Sequence, residues 1–318
     1  MMLNMSDASQ TDKLIDTVDI VSSTSNILAG LAGDMLRQTM PPATLYVLAT
    51  PIGNRADVTV RAVFALHLAD CVAAEDTRVA GHWLHSLGLH KPLLVCDTHR
   101  EQAAAQTLIE RLAQGQRVVL CSDAGTPAIS DPGARVVAAV RAAGYRVLPI
   151  PGVSALTTAI SAGGLVDEAF TFHAFAPSKG KERSDFYTAL CASPTPQVWF
   201  EAPHRMGDCL AQLAALTPQR KLCIARELTK QFEDIVTLPC EQALTWFNSK
   251  PERSKGEFVL TLAVQPVVAM AQADVHALAL AQLLVTELPA SKAAALAAKH
   301  YGAERSAVYQ ALLDAKPR

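Results

Sequence analysis

Between residues 44 and 150 short apolar runs alternate with stretches whose apolar residues recur every three or four positions. The runs predict buried strands at Leu45–Ala49, Cys71–Ala74, Leu93–Cys96, Val118–Cys121 and Val147–Ile150. Helices are predicted over Arg61–Ala69, Glu101–Gln114 and Ala134–Ala143. In the second of these Ala104, Leu108 and Leu112 recur at spacing four, and Gly115 follows as a stop. Strands alternating with helices imply an α/β unit with a mainly parallel sheet. Near Pro151–Gly152 the rhythm changes. A helix through Ala155–Ala162 leads into the alternating "FTFHAF" at 170–175, and strands follow at Gln197–Phe200, Leu222–Ala225 and Phe258–Val264. This predicts a second α/β domain with a mixed sheet. After Gln265 the chain is rich in Ala and Leu, and "SKAAALAAKHYGAERSAVYQALLDA" reads as two helices broken at Gly302.

The expected organisation is an N-terminal extension at 1–42, α/β domains at 43–152 and 153–266, and a helical tail domain at 267–318. The extension is rich in Ser, Thr and Asp and ends in Pro41-Pro42, so it is expected to lie outside the core, with a short helix at most. Its aspartates at 7, 12, 16 and 19 do not fit a signal peptide. Val147–Val166 is uncharged for 20 residues, about a bilayer's span, but two prolines and three glycines break it into a strand, a turn and a helix start.

Composition narrows the chemistry. Lysine and arginine number 28 against 30 acids, a net charge of −2, so an RNA partner would have to be met by a local basic patch. The tail from 291 to 318 is mildly basic, which suits a solvated helix pair as well as a nucleic-acid contact. Seven scattered cysteines with no CxxC fit a reduced, intracellular protein and argue against a zinc ribbon. No GxGxxG follows the first strand, and no Walker loop, GxSxG or HExxH occurs. The nine histidines form no ligand-spaced cluster, so no metal is expected.

The remaining signal is a series of strand-end loops: "TPIGN" (50–54), "EDTR" (75–78), "DTHRE" (97–101), "SDAGTPAISDPG" (122–133), "PGVSA" (151–155), "EAPHR" (201–205) and "RELTK" (226–230). Ligands of open α/β sheets bind outside the carboxyl ends of the strands. Glycine lets backbone approach a ligand and proline fixes its path. Asp123 and Asp131 are either ligand-facing acids or turn-locking caps. Arg78, Arg100, Arg205, Arg226 and Lys230 beside acids suit an anionic substrate, or salt-bridged scaffolding.

In this order, "LYVLATPIGNRADVTVRAV", "AAEDTR", "VVLCSDAGTPAISDPG", "PIPGVSALTTAISAGGL", "EAPHR" and "ARELTKQFE" with "KGEFVL" resemble the tetrapyrrole-methylase-like superfamily over roughly 44–265. Within it they are similar to the methyltransferases of cytidine 1402 2'-O in 16S rRNA, and the segment at 291–312 resembles that family's C-terminal domain. The resemblance implies a two-domain fold with S-adenosylmethionine in the cleft, plus a small helical domain. It also implies a homodimer acting in the cytoplasm, off the membrane, on the decoding region of the small ribosomal subunit. Carried over by position, Pro51, Gly53, Ser122, Asp123, Ala124, Gly125, Pro127, Ser154 and Ala155 would wall the cofactor. Met206 and Ala225 would lie on the adenine side, with Gly256 in a late closing loop. Arg78, Arg100, Glu201, His204, Arg205, Arg226 and Glu227 would face the RNA, with Asp76 or Glu75 as base and Lys230 as a positioner.

The chain departs from the family pattern at Arg100 for Asn, at Ala174 and Ala176 for Gly and Leu, and at Val153 for Pro. Two other readings fit the same residues: methylation of a corrin or porphyrin precursor, and an RNA-binding assembly factor without chemistry. The "EDTR" and "RELTK" loops with the basic tail favour RNA over tetrapyrrole, and the retained "SDAGTP" favours chemistry.

Overall fold

A computed structural model describes residues 17–264 and 272–314. The rest, including Asp7, Asp12, Asp16 and the tail's start at 265–271, lies outside the described residues. The chain divides into two compact units, Met1–Val264 and Gln265–Arg318.

The first sheet is built from β1 (Thr44–Leu48), β2 (Cys71–Ala74), β3 (Leu93–Val95), β4 (Arg117–Cys121) and β5 (Arg146–Ile150). Their order is β3-β2-β4-β1-β5 and every pairing is parallel. Helices α1 (Thr17–Leu36), α2 (Val60–Leu68), α3 (Thr77–Ser86), α4 (Glu101–Ala113) and α5 (Ala134–Ala142) complete this half. Alternate strand residues face opposite ways, and both faces are covered. Tyr46, Leu48 and Val119 pack with Leu66 of α2 and Leu84 of α3. Leu45, Val118 and Leu120 pack with Leu108 and Leu112 of α4 and Val136 and Val140 of α5. A sheet buried on both faces needs continuous apolar strands, which is why the runs lack polar alternation.

Two expectations change here. The N-terminal segment forms a 20-residue helix rather than a short one. Its end also joins the core. Met35 and Met40 are buried, the Tyr46 hydroxyl donates to the Pro41 carbonyl at 2.7 Å, and Arg117 Nε donates to the Met40 carbonyl at 2.8 Å. Helix α3, which follows the "EDTR" loop, was not expected, although Val79, Ala80, Trp83 and Leu84 recur at helical spacing; Ala80 and Leu84 are its buried residues.

The second half holds α6 (Ala155–Gly163), β6 (Thr171–Phe175), α7 (Gly180–Ala192), β7 (Gln197–Glu201), α8 (Met206–Leu216), β8 (Lys221–Arg226), β9 (Asp234–Pro239), α9 (Cys240–Asn248) and β10 (Phe258–Leu262). The sheet order is β6-β7-β10-β8-β9, parallel only between β6 and β7 and antiparallel elsewhere. Strand β9 was not expected from the sequence; it is an edge strand of half-buried residues. One sheet face packs Trp199, Ile224 and Leu260 into a core with α7, α8 (Leu210) and α9. On the other face Val198, Ala225 and Val259 pack with Ala159 of α6 and with Ile52 from the loop after β1. That cluster joins the two sheets. The uncharged 147–166 stretch is thus β5, a loop and α6, and no described helix is long and apolar enough to cross a membrane.

Among its described residues the C-terminal unit holds three helices, α10 (Gln272–Leu284), α11 (Ala290–Tyr301) and α12 (Arg305–Asp314). Ala277, Ala281, Ala294, Ala297, Val308 and Leu312 form its core. Alanines allow close helix approach, and Gly302, with φ 67°, ends α11 in the left-handed conformation.

Candidate functional site

The loops after β1 and β4 are zipped together at the carboxyl edge of the first sheet. Thr50 N donates to Gly125 O at 2.9 Å and Gly125 N to Thr50 O at 3.0 Å. The Thr50 hydroxyl also bonds Ser122 O at 3.2 Å, and the Thr126 hydroxyl reaches Val153 O at 3.0 Å, tying in the loop after β5. Gly125 has φ +85°, and a Cβ there would stand 3.4 Å from Ile52 Cγ2. Ala128 and Ser130 also hold left-handed backbone, at φ 67° and 73°. Such conformations persist only where surrounding contacts over-determine them, and they cluster at ligand clamps.

This cradle faces a cavity of about 370 Å³ between the two halves. Ala124–Thr126, Ile129–Asp131, Ser154 and Ala155 line it from the first half and the start of α6. Phe175, Phe200, Glu201, Leu228, Glu257 and Val259 line it from the second. Its size falls within the range of small-molecule sites, and an apolar wall with a few polar groups is their usual character. Phe175 and Phe200 meet edge-to-face at 5.4 Å.

The opposite rim is locked by charge. Lys230 Nζ contacts Glu227 Oε1 at 2.8 Å and Glu257 Oε2 at 2.9 Å. Burial alone would lower the Lys230 pKa, but its bonds to these two carboxylates carry it above its ordinary value. The Lys230 stem crosses Gly53 so closely that a Cβ there would sit 2.4 Å from Lys230 Cγ. Asn54 N donates to the Thr229 hydroxyl at 3.1 Å, so the "RELTK" loop braces the "TPIGN" loop. Gly256, at φ +100°, leaves room for Glu227; a Cβ would come within 2.6 Å of Glu227 Cγ. Behind the cavity the Glu201 carboxylate is buried, with Arg205 Nε at 2.8 Å, Arg183 Nη2 at 3.8 Å and the Tyr187 hydroxyl donating to it.

The carboxylates at the first rim divide by environment. Burial, then the charges of Asp131 and Asp123, raise the pKa of Glu75. Burial also raises Asp131, reinforced by Asp123 and opposed by a hydrogen bond with Ser122. Asp76 goes the other way. It caps α3, accepting from Arg78 N at 2.8 Å and Arg78 Nε at 3.0 Å, and the Arg78 side chain holds it at about 2. Asp123 Oδ1 accepts from Asp76 N at 3.0 Å, linking the two loops.

Several expected site residues take other places. Met206 is fully buried in the core of the second half and lines no described cavity. Ala225 lies beneath the cavity among Val198 and Val259. Arg226 directs its guanidinium at the Lys255, Phe232 and Glu252 carbonyls, at 2.8, 3.1 and 2.7 Å, so it is scaffolding rather than an RNA-facing cation. Arg205 is engaged by Glu201 and by the Ala176 carbonyl at 3.1 Å. His204, Arg78 and Arg100 are exposed, and Arg100 stands 3.7 Å from Asp97. Pro127 is buried behind the cradle. Pro51, Gly53, Ser122 and Asp123 line a second cavity, adjoining the first at Ile52 and Ala124. Sequence reasoning missed Ile52, Phe175, Phe200, Leu228 and Val259 as lining residues. Ordinary strand and loop apolar residues carry no local mark of facing a cleft.

The family model for tetrapyrrole (corrin/porphyrin) methylases matches residues 44–244, and that for the RsmI C-terminal HTH domain matches 271–316. A ribosomal RNA small subunit methyltransferase I of Escherichia coli O157:H7 is 42% identical, over 85% of this chain and 94% of its own length. The counterpart from Pseudomonas aeruginosa is 40% identical over 86% of this chain and 98% of its own. Among solved structures, the methyltransferase CobJ superposes with a TM-score of 0.52 at 20% identity, covering 72% of this chain and 95% of its own. Diphthine synthase does so at 0.52 and 18%, covering 69% and 89%. The two structures share the fold of the paired sheets, the two family models fall one on the sheets and one on the tail, and the sequence relatives cover most of the chain: it belongs to the ribosomal RNA small subunit methyltransferase I family, within the tetrapyrrole methylase fold.

Proposed function

We propose that the protein transfers a methyl group from S-adenosylmethionine to the 2'-oxygen of cytidine 1402 in 16S rRNA. The observation that carries this is the backbone cradle at Gly125 facing a largely apolar cavity between two sheets, in a chain of this family. The residues present fit the cofactor. Glycine at 125 keeps the backbone open, Phe175, Phe200, Leu228 and Val259 offer an apolar bed for an adenosyl group, and the Asp131 carboxylate suits a cationic ligand. When bound, S-adenosylmethionine supplies an electrophilic methyl on a positively charged sulfur, and no metal is required.

The protein's part is alignment and proton removal. Loops 50–54 and 122–126, pinned to each other and braced by Lys230, hold the wall against which donor and acceptor must line up; fixed geometry is a major source of rate. A ribose hydroxyl is a weak acid, so a base is needed as the new bond forms. Glu75 is the better candidate than Asp76. Its half-buried carboxylate bonds the backbone of Asp123, a residue lining the second cavity, and its pKa is raised, whereas Asp76 is committed to Arg78 and to capping α3. Lys230, closed in its two ion pairs, positions the loop rather than the substrate. We further propose that it acts in the cytoplasm on the small subunit, and as a homodimer, the latter tested by sedimentation equilibrium.

The deciding experiment offers labelled S-adenosylmethionine and purified protein to intact small subunits, naked 16S rRNA and uroporphyrinogen in parallel. Label on the ribose at cytidine 1402 is expected. Label in none, or only in the porphyrinogen, overturns the reading.

A further inference from the structure

The second cavity, about 410 Å³, opens between the "TPIGN" loop, α3 and the loop after β4. It borders the first cavity at Ile52 and Ala124, so a ligand here would lie next to one held in the cradle. Its walls differ in kind. Where the first cavity offers apolar side chains and carboxylates, this one presents Trp83, Val79 and Pro51 beside two cationic or ionisable groups, Arg55 and His82. Trp83 is half-buried, wedged against the core formed by Leu66, Leu84 and Val72, so its ring is held in place. Arg55 and His82 are exposed, and neither enters an ion pair among the described residues. The carboxylate in the lining, Asp123, is engaged at Oδ1 by the Asp76 amide. The rim is rigid as well: the loop that carries Pro51 and Arg55 is stapled to Gly125 on one side and to Thr229 and Lys230 on the other.

We propose that this second cavity is the acceptor pocket and takes one unstacked nucleotide of an RNA strand, its base against the Trp83 indole and its phosphate at Arg55. The assignment rests on the reading above, that the first cavity holds the methyl donor. Enzymes acting on a nucleotide draw it out of its stack, and single-stranded bases are held by stacking on aromatic rings with cations at the backbone. A fixed indole and an unpaired guanidinium within one nucleoside-sized cavity, adjoining the donor site, supply both parts. They also place the ribose, which lies between base and phosphate, toward the Ile52–Ala124 border.

The test uses full-length protein with labelled S-adenosylmethionine and intact small subunits, and titrates the cofactor separately by calorimetry. Stacking on one aromatic ring contributes about 1–3 kcal/mol, so Trp83→Ala is expected to raise KM for subunits by about 5- to 150-fold. Cofactor affinity should stay within twofold and Trp83→Phe should restore most of the loss. Arg55→Gln, at an exposed position where folding is not at risk, is expected to raise KM about 3- to 10-fold and to flatten the salt dependence of binding. Wild-type protein that binds the cofactor but labels no RNA overturns the functional reading itself. A wild type that labels RNA, with Trp83→Ala and Arg55→Gln both matching its KM, overturns the pocket alone. Should Trp83→Ala fail to fold, an unchanged KM in Trp83→Leu or in Arg55→Gln overturns it equally.

Discussion

The two rims of the cleft are made stiff by different means. On the first, stiffness lies in the backbone: paired amides at Thr50 and Gly125, left-handed residues at 125, 128 and 130, and hydroxyls bonded to carbonyls. On the second, it lies in side-chain charge: Glu201 among Arg183, Arg205 and Tyr187, and Lys230 between Glu227 and Glu257. The parallel sheet explains part of this. All five of its strands end at the same edge, so its loops can bond one another through backbone. In the mixed sheet, β8 and β10 run opposite ways, and the loops at the cleft are brought together from residues 201, 227 and 257. One backbone bond, Glu227 N to Glu257 O at 3.0 Å, joins two of them, and long charged side chains do the rest. A change on the first rim should therefore show mainly in binding and turnover, and a change on the second mainly in stability.

The largest effect is expected from Glu75→Gln, which should lower turnover about 10²- to 10⁴-fold, the usual range for a general base. Cofactor affinity, read by calorimetry, should be unchanged. The pH profile sharpens the test. A base must be ionised, so turnover falls as pH drops through the Glu75 pKa, and because that pKa is raised the acid limb lies above the ordinary carboxylate range. Glu75→Gln removes the limb. Asp76→Asn keeps a capping oxygen and should leave the limb in place, because Asp76 titrates near 2. Stability has the opposite sign. The folded state favours protonated Glu75, so this group's contribution is present below its unfolded pKa and is lost as pH rises through the folded value. Glu75→Gln should thus be no less stable than wild type at neutral pH.

Next comes Glu201→Ala. Removing one partner of a buried ion cluster strands Arg183 and Arg205, at about 3–5 kcal/mol, read by urea unfolding. Gly125→Ala is the matched change on the other rim. Left-handed backbone costs an L-residue about 1–2 kcal/mol, and the added Cβ presses on Ile52 at 3.4 Å. It should weaken cofactor binding tenfold or more by calorimetry while destabilising less than Glu201→Ala. If Gly125→Ala unfolds the protein more readily than Glu201→Ala, the contrast between the rims is wrong. The smallest effect is expected at Ala174, where φ is 57° beside the register shift between β6 and β7. Ala174→Gly should add about 0.5 kcal/mol, since relief of the left-handed strain exceeds glycine's entropic penalty. Thermal unfolding reads it. Here a departure from the family pattern coincides with a strained position.

Much of the plan is legible in the amino-acid order. The five apolar runs before residue 151 become the five strands of the parallel sheet, and the glycine- and proline-rich loops fall where those strands end. That information is local, because period, turn chemistry and capping act over a few neighbouring residues. The cradle at Ser122–Pro127 belongs to this class: its glycine and proline mark a shaped backbone before any partner is known. The fate of charged residues does not. Arg226 and Arg78 look alike in "RELTK" and "EDTR", yet one caps three carbonyls in the interior and the other lies in solvent over Asp76. Glu75 and Asp76 are chain neighbours, and only the approach of Asp131 and Asp123 on one side and Arg78 on the other drives their pKa values apart. Met206 stands two residues from the exposed His204, but α8 turns it into the core. Trp83 belongs to an apolar stripe at helical spacing with Ala80 and Leu84, but it gains a role only where α3 meets the loops after β1 and β4. Strand positions and loop shape follow from local preference. Which acid is a base, which arginine is free and where an aromatic ring finds a cavity depend on groups far apart in the chain, and those were decided by the tertiary structure alone.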